Sequence, residues 1–207
     1  VREIDIPRKT VICKKTYKYD FCVIALGAKP NFFGVVGAKE FGRTFFTVED
    51  ALNIRNDLEE LYTRKKGRIR IVVAGGGYTG VEVASHLYTL FTKLSSKLNH
   101  PFPSIVVIEG RDSILSGMPD WLRRIATDRL RRYGIRLVLE SLIQRVDENR
   151  IYLDQGLAMS YDYLIWAGGV IANNLEGKIH GTQVGSSGRI QVNPDLSVRG
   201  FDHTFCV

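Results

Sequence analysis

The central part of the chain alternates between continuously apolar runs and apolar residues at helical spacing. Residues 69–74 and 104–108 are almost wholly apolar, which is typical of strands buried on both faces. Apolar residues that recur every three or four positions predict helices after Thr47, after the glycines of residues 75–80 and after Pro119. This order predicts an α/β fold with a parallel sheet, right-handed crossovers and helices on the faces of the sheet.

The flanking parts are predicted to be β structure and loop, and one strand ending occurs twice. Residues 19–28 read YDFCVIALGA and residues 161–170 read YDYLIWAGGV, so both begin with Tyr-Asp and reach Ala-x-Gly. Residues 29–46 hold proline and scattered glycines and are predicted to be irregular loop. The tail after residue 170 combines loop with strand fragments such as GRIQVNP and HTFCV. Two copies of the same ending indicate two lobes of common ancestry.

Composition narrows the class of protein. With 44% hydrophobic and 25% charged residues and no apolar run of about 18 residues, the chain is predicted to be globular, without a transmembrane helix. The net charge of +7 is spread over the chain, and the five arginines of the third predicted helix are interpreted as a solvated face. Cys13, Cys22 and Cys206 form no CxxC motif and are predicted to be buried, unreactive thiols.

Residues 72–83 read VVAGGGYTGVEV and contain Gly75-x-Gly77-x-x-Gly80 between a predicted buried strand and a predicted helix. In this context the motif indicates a dinucleotide-binding turn. Gly75 permits the tight turn, Gly77 lets a pyrophosphate approach the backbone, and Gly80 allows the helix to pack closely on the strand. The free N–H groups at the start of the helix then face the phosphates.

An acidic residue after the second buried strand indicates which nucleotide is bound. Glu109 ends the run SIVVIE and lies 29 positions after Gly80, where about 20 is usual, because the intervening helix is long. A carboxylate there accepts hydrogen bonds from both ribose hydroxyls and repels a 2′-phosphate, so NADH is predicted over NADPH. Arg111 favours the opposite preference, because an arginine just beyond this strand can bind the phosphate of NADPH.

The motifs GGGYTGVEVA, VVIEG, ILSGMPDWL and YDYLIWAGGV, in this order, resemble the two-dinucleotide-binding flavoproteins of the pyridine nucleotide-disulfide oxidoreductase superfamily. Within it, the chain is most similar to type II NADH:quinone dehydrogenases. The resemblance implies a FAD-binding lobe in two pieces, residues 1–46 and 171–207, around a Rossmann-like NADH-binding lobe at residues 47–170. It also indicates a central portion of a longer protein, because the family's first FAD fingerprint and the Gly-Asp expected after HTFCV are not in the sequence.

The resemblance assigns a nucleotide site to residues that follow the predicted strands. Glu82 corresponds to a glutamate that lies near the nicotinamide and the flavin, and it is the candidate catalytic residue. The 167–169 segment lacks bulky side chains and would leave room for the nicotinamide ring. The candidate cofactor-binding residues are Ala25, Gly27, Gly75, Gly76, Gly77, Tyr78, Thr79, Gly80, Glu82, Glu109, Gly110, Arg111, Ala167, Gly168 and Gly169. No metal site is predicted.

The activity implied for the whole protein is that of a flavin-dependent NADH dehydrogenase, which transfers hydride from NADH to FAD and passes electrons to a quinone-type acceptor. The alternatives are a ferredoxin or disulfide reductase, a sulfide:quinone reductase and a non-catalytic pyridine-nucleotide-binding module. The chain alone is expected to bind NADH but neither to retain FAD nor to oxidise NADH.

The expected partners are NADH and a quinone or other electron acceptor, and no nucleic acid. The resemblance is compatible with a homodimer and with a cytoplasmic protein. It is also compatible with contact at the inner face of the cytoplasmic membrane through a C-terminal part.

Overall fold

The computed structural model describes residues 1–65, 67–185 and 187–207. Its helices are α1 (Ala38–Phe41), α2 (Val48–Arg64), α3 (Tyr78–Leu98) and α4 (Asp120–Arg132), with a 3-10 helix at Leu175–Gly177. Its strands are β1 (Glu3–Asp5), β2 (Thr10–Ile12), β3 (Thr16–Lys18), β4 (Cys22–Ile24), β5 (Ala28–Pro30), β6 (Arg43–Thr44), β7 (Arg70–Ala74), β8 (Ser104–Ile108), β9 (Arg136–Val138), β10 (Ile143–Asp147), β11 (Arg150–Leu153), β12 (Ala158–Ser160), β13 (Tyr163–Trp166), β14 (Val170–Ala172), β15 (Ile179–His180) and β16 (Thr204–Cys206). The three helices predicted from periodicity are confirmed as α2, α3 and α4.

Residues Phe32–Gly169 form one of two compact units, here called the central unit, around a five-stranded parallel sheet. The strand order is β6-β13-β7-β8-β9. β7 lies between β13 and β8, so that Ala74 pairs with Trp166 on one side and with Ile108 on the other. The carboxyl ends of these three strands therefore lie at the same edge of the sheet, and the predicted parallel sheet is confirmed.

Both faces of this sheet are buried, which explains the continuously apolar strands. On one face, Val73 and Val107 pack in a core with Leu58 of α2, Phe91 of α3 and Leu130 of α4. The opposite face is buried in a second core, whose members are Ala38, Val72, Ala74, Val106, Ile108, Val146, Ile151, Leu153, Tyr161, Leu164 and Trp166. This second core includes residues of the antiparallel sheet β10-β11-β12 and of the short α1. The expectation of helices on both faces is therefore wrong for the second face, which is covered mainly by a sheet.

The other unit, here called the terminal unit, combines Val1–Asn31 with Val170–Val207. β15, β1, β2 and β3 form a four-stranded sheet in that order, β14 pairs with β5, and β16 pairs with β4 in parallel. Its buried core consists of Ile4, Ile6, Ile24, Ile179 and Val198. The strands predicted in FCVIALG and HTFCV are confirmed. GRIQVNP, in contrast, forms only isolated bridges, at Ile190 and Val192.

Residues 32–46 differ from the sequence prediction, which made them loop within the first lobe. They contain α1 and β6, and they belong to the central unit because β6 pairs with β13 and the Phe32 ring stacks on Trp166 at 5.7 Å. Ala38 is fully buried in the same unit. The units consequently divide after Asn31 and after Gly169, instead of after residues 46 and 170. Periodicity gives no signal for elements as short as these.

A capping box begins α2 at Thr47, where the sequence predicted the helix start. The Asp50 N–H donates to Thr47 Oγ1 at 3.0 Å, and the Thr47 N–H donates to Asp50 Oδ2 at 3.0 Å. The same Oδ2 accepts the Phe46 N–H at 2.9 Å and the Thr44 hydroxyl at 3.3 Å. Partial burial acts to raise the pKa of Asp50, but these hydrogen bonds together hold the pKa below its ordinary value.

We expect Thr47→Ala to lower the free energy of unfolding by about 1 kcal/mol, because an N–H at the helix start loses its acceptor.

Asp50→Asn should destabilise the protein at neutral pH and less in acid. A carboxylate whose pKa is lowered by folding contributes stability above its unfolded pKa of about 3.9, and this is lost as the pH falls through the folded pKa. Urea unfolding at several pH values measures both effects.

Glu49→Gln is the matched control for the Asp50 variant. Glu49 is an exposed acid in the same helical turn that takes no part in the capping box. If Asp50→Asn lost the same stability at every pH, the charged capping box would not be the source of the effect.

Candidate functional site

Two glycines of the turn between β7 and α3 are required by close packing of backbone. Gly75 has φ +110, and a Cβ there would lie 2.5 Å from the Ala167 carbonyl oxygen. A Cβ on Gly80 would lie 1.9 Å from the Gly75 carbonyl oxygen. The start of α3 is thus packed directly against the turn, and the end of β13 is packed against its other side. Both contacts agree with the roles that the motif predicts for Gly75 and Gly80.

Gly77 differs from these two glycines because its Cβ position faces open space. Its φ is −73, which any residue can adopt, and no described residue beyond the adjoining stretch of its own chain comes within 4 Å of the Cβ position. Gly77 is the N-cap of α3, and the first four N–H groups of a helix have no partner within the helix. The space in front of these N–H groups and the positive end of the helix dipole form a place that an anion can approach.

The Glu109 carboxylate is fixed against this turn by backbone donors. Its Oε2 accepts the Gly76 N–H at 2.6 Å, and its Oε1 accepts the Arg111 N–H at 2.9 Å. Each oxygen keeps lone pairs for further donors. Among the described residues, neither Glu109 nor Arg111 takes part in an ion pair. The carboxylate after β8 is therefore turned toward the glycine turn, and the exposed Arg111 side chain does not neutralise it.

Gly76, which the motif treats as a variable position, holds the turn and the acid together. A Cβ on Gly76 would lie 2.9 Å from Ile114 Cγ2 and 3.0 Å from Glu109 Cβ. The carbonyl oxygen of Gly76 accepts the Leu115 N–H at 2.8 Å. Ile114 is fully buried, and Leu115 has a positive φ of 51. The sequence did not identify Ile114 or Leu115 as site residues, since their contribution comes from this long-range contact.

Leu142 is a second residue that the sequence analysis missed. It follows β9 and is 56% exposed although it is large and apolar. A Cβ on Gly110 would lie 2.5 Å from Leu142 Cδ2, so the leucine side chain rests over Gly110 and would have to shift if residue 110 carried a side chain. The Leu142 N–H donates to Asp154 Oδ1 at 3.1 Å, which ties its backbone to the β11–β12 connection. The result is an exposed apolar side chain over Gly110, the residue that follows Glu109.

Residues 167–169 follow β13 and lie at the same edge of the parallel sheet, where they carry almost no side chains. The Ala167 N–H donates to the Ala74 carbonyl oxygen at 2.8 Å. A Cβ on Gly168 would lie 3.0 Å from the indole nitrogen of Trp166, and Gly169 has φ +114. The ends of β7, β8 and β13 thus bring together the glycine turn, the Glu109 region and residues 167–169.

The remaining sequence-predicted residues are exposed side chains of α3 and one strand end of the terminal unit. Tyr78, Thr79 and Glu82 are exposed on the first turns of α3. No ion pair of residues 1–65, 67–185 and 187–207 involves Glu82. Ala25 and Gly27 follow β4 in the terminal unit, where both are exposed and Gly27 has φ +67.

Other chemistry is not apparent in the part of the chain that the structure describes. This part holds no cluster of His, Cys, Asp and Glu that could ligate a metal, and none of its helices is long and apolar enough to cross a membrane. Cys13, Cys22 and Cys206 are free thiols of intermediate burial, which corrects the expectation that they are fully buried. Burial raises the pKa of Cys22 and Cys206, which lowers their thiolate fraction and hence their reactivity.

A parallel sheet with a glycine turn after one strand and an acid after the next defines a Rossmann-like unit. The chain belongs to the pyridine nucleotide-disulphide oxidoreductase family, which it matches over residues 1–207.

Curated relatives are similar over about half their length. The type II NADH:quinone oxidoreductase NdhA of Mycobacterium tuberculosis is 28% identical, over 100% of this chain and 50% of that protein. The type II NADH:quinone oxidoreductase of Haemophilus influenzae is 23% identical, over 95% of this chain and 50% of that protein.

Solved structures show the same fold. NDH2 from Plasmodium falciparum in complex with NADH has a TM-score of 0.82 at 24% identity, covering 93% of this chain and 44% of that chain. A NAD-dependent persulfide reductase from A. fulgidus has a TM-score of 0.74 at 25% identity, covering 99% of this chain and 36% of that chain.

Gly80 and Gly77 should differ in their tolerance of replacement by alanine. Gly80→Ala should lower the free energy of unfolding by about 2 kcal/mol or more, because the new methyl group would overlap the Gly75 carbonyl. Gly77→Ala should stay within about 1 kcal/mol of wild type, since it faces open space and only weakens the N-cap. Chemical unfolding of both variants measures the difference, and equal losses would contradict the packing described for Gly80.

Proposed function

We propose that the central unit binds NADH at the carboxyl edge of its parallel sheet. The observation that carries the proposal is the Glu109 carboxylate, which backbone N–H groups hold beside the glycine turn. The pyrophosphate would lie in front of Gly77, where the helix N–H groups are accessible and a side chain would intrude. The adenosine ribose would donate its two hydroxyls to Glu109, whose lone pairs are not exhausted by Gly76 and Arg111.

The same geometry favours NADH over NADPH. A ribose 2′-phosphate would lie against the Glu109 carboxylate, and two anions in contact repel each other. The carboxylate cannot turn away without leaving the Gly76 N–H unpaired, which costs about 1–3 kcal/mol for a buried donor. The Arg111 guanidinium is exposed and takes part in no ion pair of the described residues. To favour NADPH, it would have to outweigh both the repulsion between the two anions and the cost of the unpaired Gly76 N–H.

Two surfaces of the proposed site would contact the adenine and nicotinamide rings of NADH. Leu142 offers an apolar surface beside Glu109 for the adenine. The 167–169 segment would lie along the nicotinamide, because the absence of side chains at Gly168 and Gly169 leaves that edge of the backbone accessible. Glu82, exposed and without an ion-pair partner in the described chain, is proposed to act at the nicotinamide end of the site.

For the whole protein we propose a FAD-dependent NADH dehydrogenase with a quinone-type acceptor. When bound, FAD would supply the ring that accepts hydride, and the protein would supply its placement. In this chain, Ala25 and Gly27 after β4 are the candidate contribution to FAD binding. The support is membership of the family and the similarity to proteins named type II NADH:quinone oxidoreductase.

A disulfide or persulfide reductase is the second candidate, because a persulfide reductase has the same fold. Burial raises the pKa of Cys22 and Cys206, so neither of these two thiols favours the thiolate form that such a reductase uses. A quinone acceptor would make the protein work at a membrane surface, on the cytoplasmic side as the resemblance implies. The homodimer stays a prediction.

Titration of the protein with NADH and NADPH tests the proposed site. Wild type should bind NADH saturably and at least about tenfold more tightly than NADPH, because loss of hydrogen bonds to a charged group costs about 1.5–3 kcal/mol. Glu109→Gln should weaken NADH binding and reduce the preference. Glu148→Gln, an exposed acid of the β10–β11 turn, is the matched control and should bind like wild type. Equal affinity of the wild type for both nucleotides would show that Arg111 decides the specificity.

Glu82→Gln tests the proposed role at the nicotinamide. We expect turnover of the flavin-containing protein to fall by roughly tenfold, as for loss of one hydrogen bond from a charged group. The free energy of unfolding should change by less than about 0.5 kcal/mol, because the side chain is exposed. Glu60→Gln, an exposed acid of α2, is the control. A large loss of stability with unchanged turnover would make Glu82 a structural residue.

A further inference from the structure

A cleft opens at the amino edge of the parallel sheet, which is the edge opposite to the glycine turn. Its volume is about 420 Å³, within the range of roughly 300–1,000 Å³ that is usual for small-molecule sites. This amino-edge cleft is lined by residues of β7, β8 and β9 and of the β11–β12 hairpin, among them Arg70, Val106, Arg136, Leu153, Leu157 and Met159. Its lining belongs entirely to the central unit.

The pleat of the strands explains why two arginines face the same cleft. Side chains two positions apart on a strand lie on the same face, so Arg70 lies on the face of Val72 and Arg136 on the face of Val138. Val72 and Val138 both pack in the second core, between the parallel sheet and the sheet β10-β11-β12. Arg70 begins β7 and Arg136 begins β9, with only β8 between these strands. The two arginines therefore emerge on one face, about 10 Å apart across the sheet.

Both guanidinium groups have donors that the described chain does not use. Nη1 of the half-buried Arg70 donates to the Ser160 carbonyl oxygen at 2.8 Å and to the Ser160 hydroxyl, which fixes the group at the cleft. In the described residues, neither arginine forms an ion pair, and the exposed Arg136 side chain makes no hydrogen bond. Two unpaired cations on one face repel each other, and an anion between them would turn this repulsion into attraction.

The rest of the cleft is largely apolar. Val106 is 2% exposed and Leu153 is 5% exposed, and Met159 packs partly buried against the same core. Leu157, which precedes β12, is in contrast 58% exposed although it also lines the cleft. The backbone holds Leu157 there, because its carbonyl oxygen accepts the Leu153 N–H at 2.8 Å. A ligand with an apolar body would cover this leucine while its charged end meets the arginines.

The backbone around the cleft favours a carboxylate over a phosphate. Phosphate sites usually draw on several free backbone N–H groups, as at a helix start. Here the Arg70 N–H donates to Asp162 Oδ2 at 2.7 Å, and the Ser104 N–H donates to the Ile69 carbonyl oxygen at 2.8 Å. Guanidinium groups remain as the main donors, and their planar fork matches the two oxygens of a carboxylate.

We propose that the amino-edge cleft binds a small carboxylate with an apolar body, such as a medium-chain or aryl-alkyl acid. The carboxylate accepts hydrogen bonds from Arg70 and Arg136, and the apolar body lies along Val106 and Met159 beneath Leu157. The site is separate from the proposed NADH site, because it lies at the other end of the same strands. Its occupation does not depend on the function proposed above.

Calorimetric titration of the protein with octanoate and with 4-phenylbutyrate tests the proposal. At least one of these acids should bind saturably at one site. The corresponding alcohol, which lacks the charge, and acetate, which lacks the apolar body, should each bind at least about tenfold more weakly. NADH at saturating concentration should leave the affinity for the acid unchanged.

Variants of the cleft should separate its two parts. Arg136→Gln should weaken binding of the acid roughly tenfold, because a charge-assisted hydrogen bond is lost. Arg150→Gln is the matched control, since it removes the same charge from an exposed position of β11 whose side chain lies on the face opposite to Leu153. Arg70→Gln should also weaken binding, but it loses the bonds to Ser160 as well, so the exposed Arg136 gives the decisive comparison.

The apolar wall has its own pair of variants. Leu157→Ser should weaken binding of the acid by roughly fivefold, because apolar contact is lost. Leu52→Ser makes the same change at an exposed position of α2 and should bind the acid like wild type. Neither variant should change the affinity for NADH.

Four outcomes would overturn the proposal. The first is no saturable binding of either acid, and the second is equal affinity for an acid and its alcohol. The third is an equal loss of binding in Arg136→Gln and Arg150→Gln, which would reduce the effect to net charge. The fourth is displacement of the acid by NADH, which would place the acid in the nucleotide site.

Discussion

The close approach of α3 to the end of β7 is the constraint on which the proposed nucleotide site depends. The helix can begin where it does only because residue 80 has no side chain, since a Cβ would lie 1.9 Å from the Gly75 carbonyl oxygen. That approach fixes the turn so that the Gly76 N–H meets the Glu109 carboxylate at 2.6 Å. The segments that follow β7 and β8 are then joined by this side-chain hydrogen bond, in addition to the backbone pairing of the two strands. An acid on one strand and a helix start on another become parts of one site.

Much of this arrangement could be predicted from the sequence because its causes are local. Continuous apolar runs predict strands buried on both faces, and the spacing of Gly75, Gly77 and Gly80 predicts a tight turn and a helix packed closely on the strand. The position of Glu109 at a strand end is also a local feature. What the sequence could not show was the reason why Glu109 points to the turn, which is a hydrogen bond between residues 33 positions apart.

The features that sequence analysis missed depend on contacts between distant segments. α1 and β6 are too short to produce a periodic pattern, and they are held by the pairing of β6 with β13 and by Phe32 against Trp166. The sheet β10-β11-β12 covers a face where helices were expected, because an alternating strand can bury apolar residues as well as a helix can. Leu142 became a candidate site residue only when the structure placed it over Gly110.

The repeated ending of residues 19–28 and 161–170 has a physical explanation in the structure. The last glycine of each ending, Gly27 and Gly169, has a positive φ, of 67 and 114 respectively, which favours glycine over residues that carry a side chain. Immediately after these glycines the chain continues into β5 and β14, and these two strands pair with each other, with Ala172 opposite Ala28. Each ending therefore stops a strand of a parallel pair and directs the chain into the same two-stranded sheet. The chain leaves the terminal unit just after β5 and re-enters it at β14, so both connections to the central unit adjoin this two-stranded sheet.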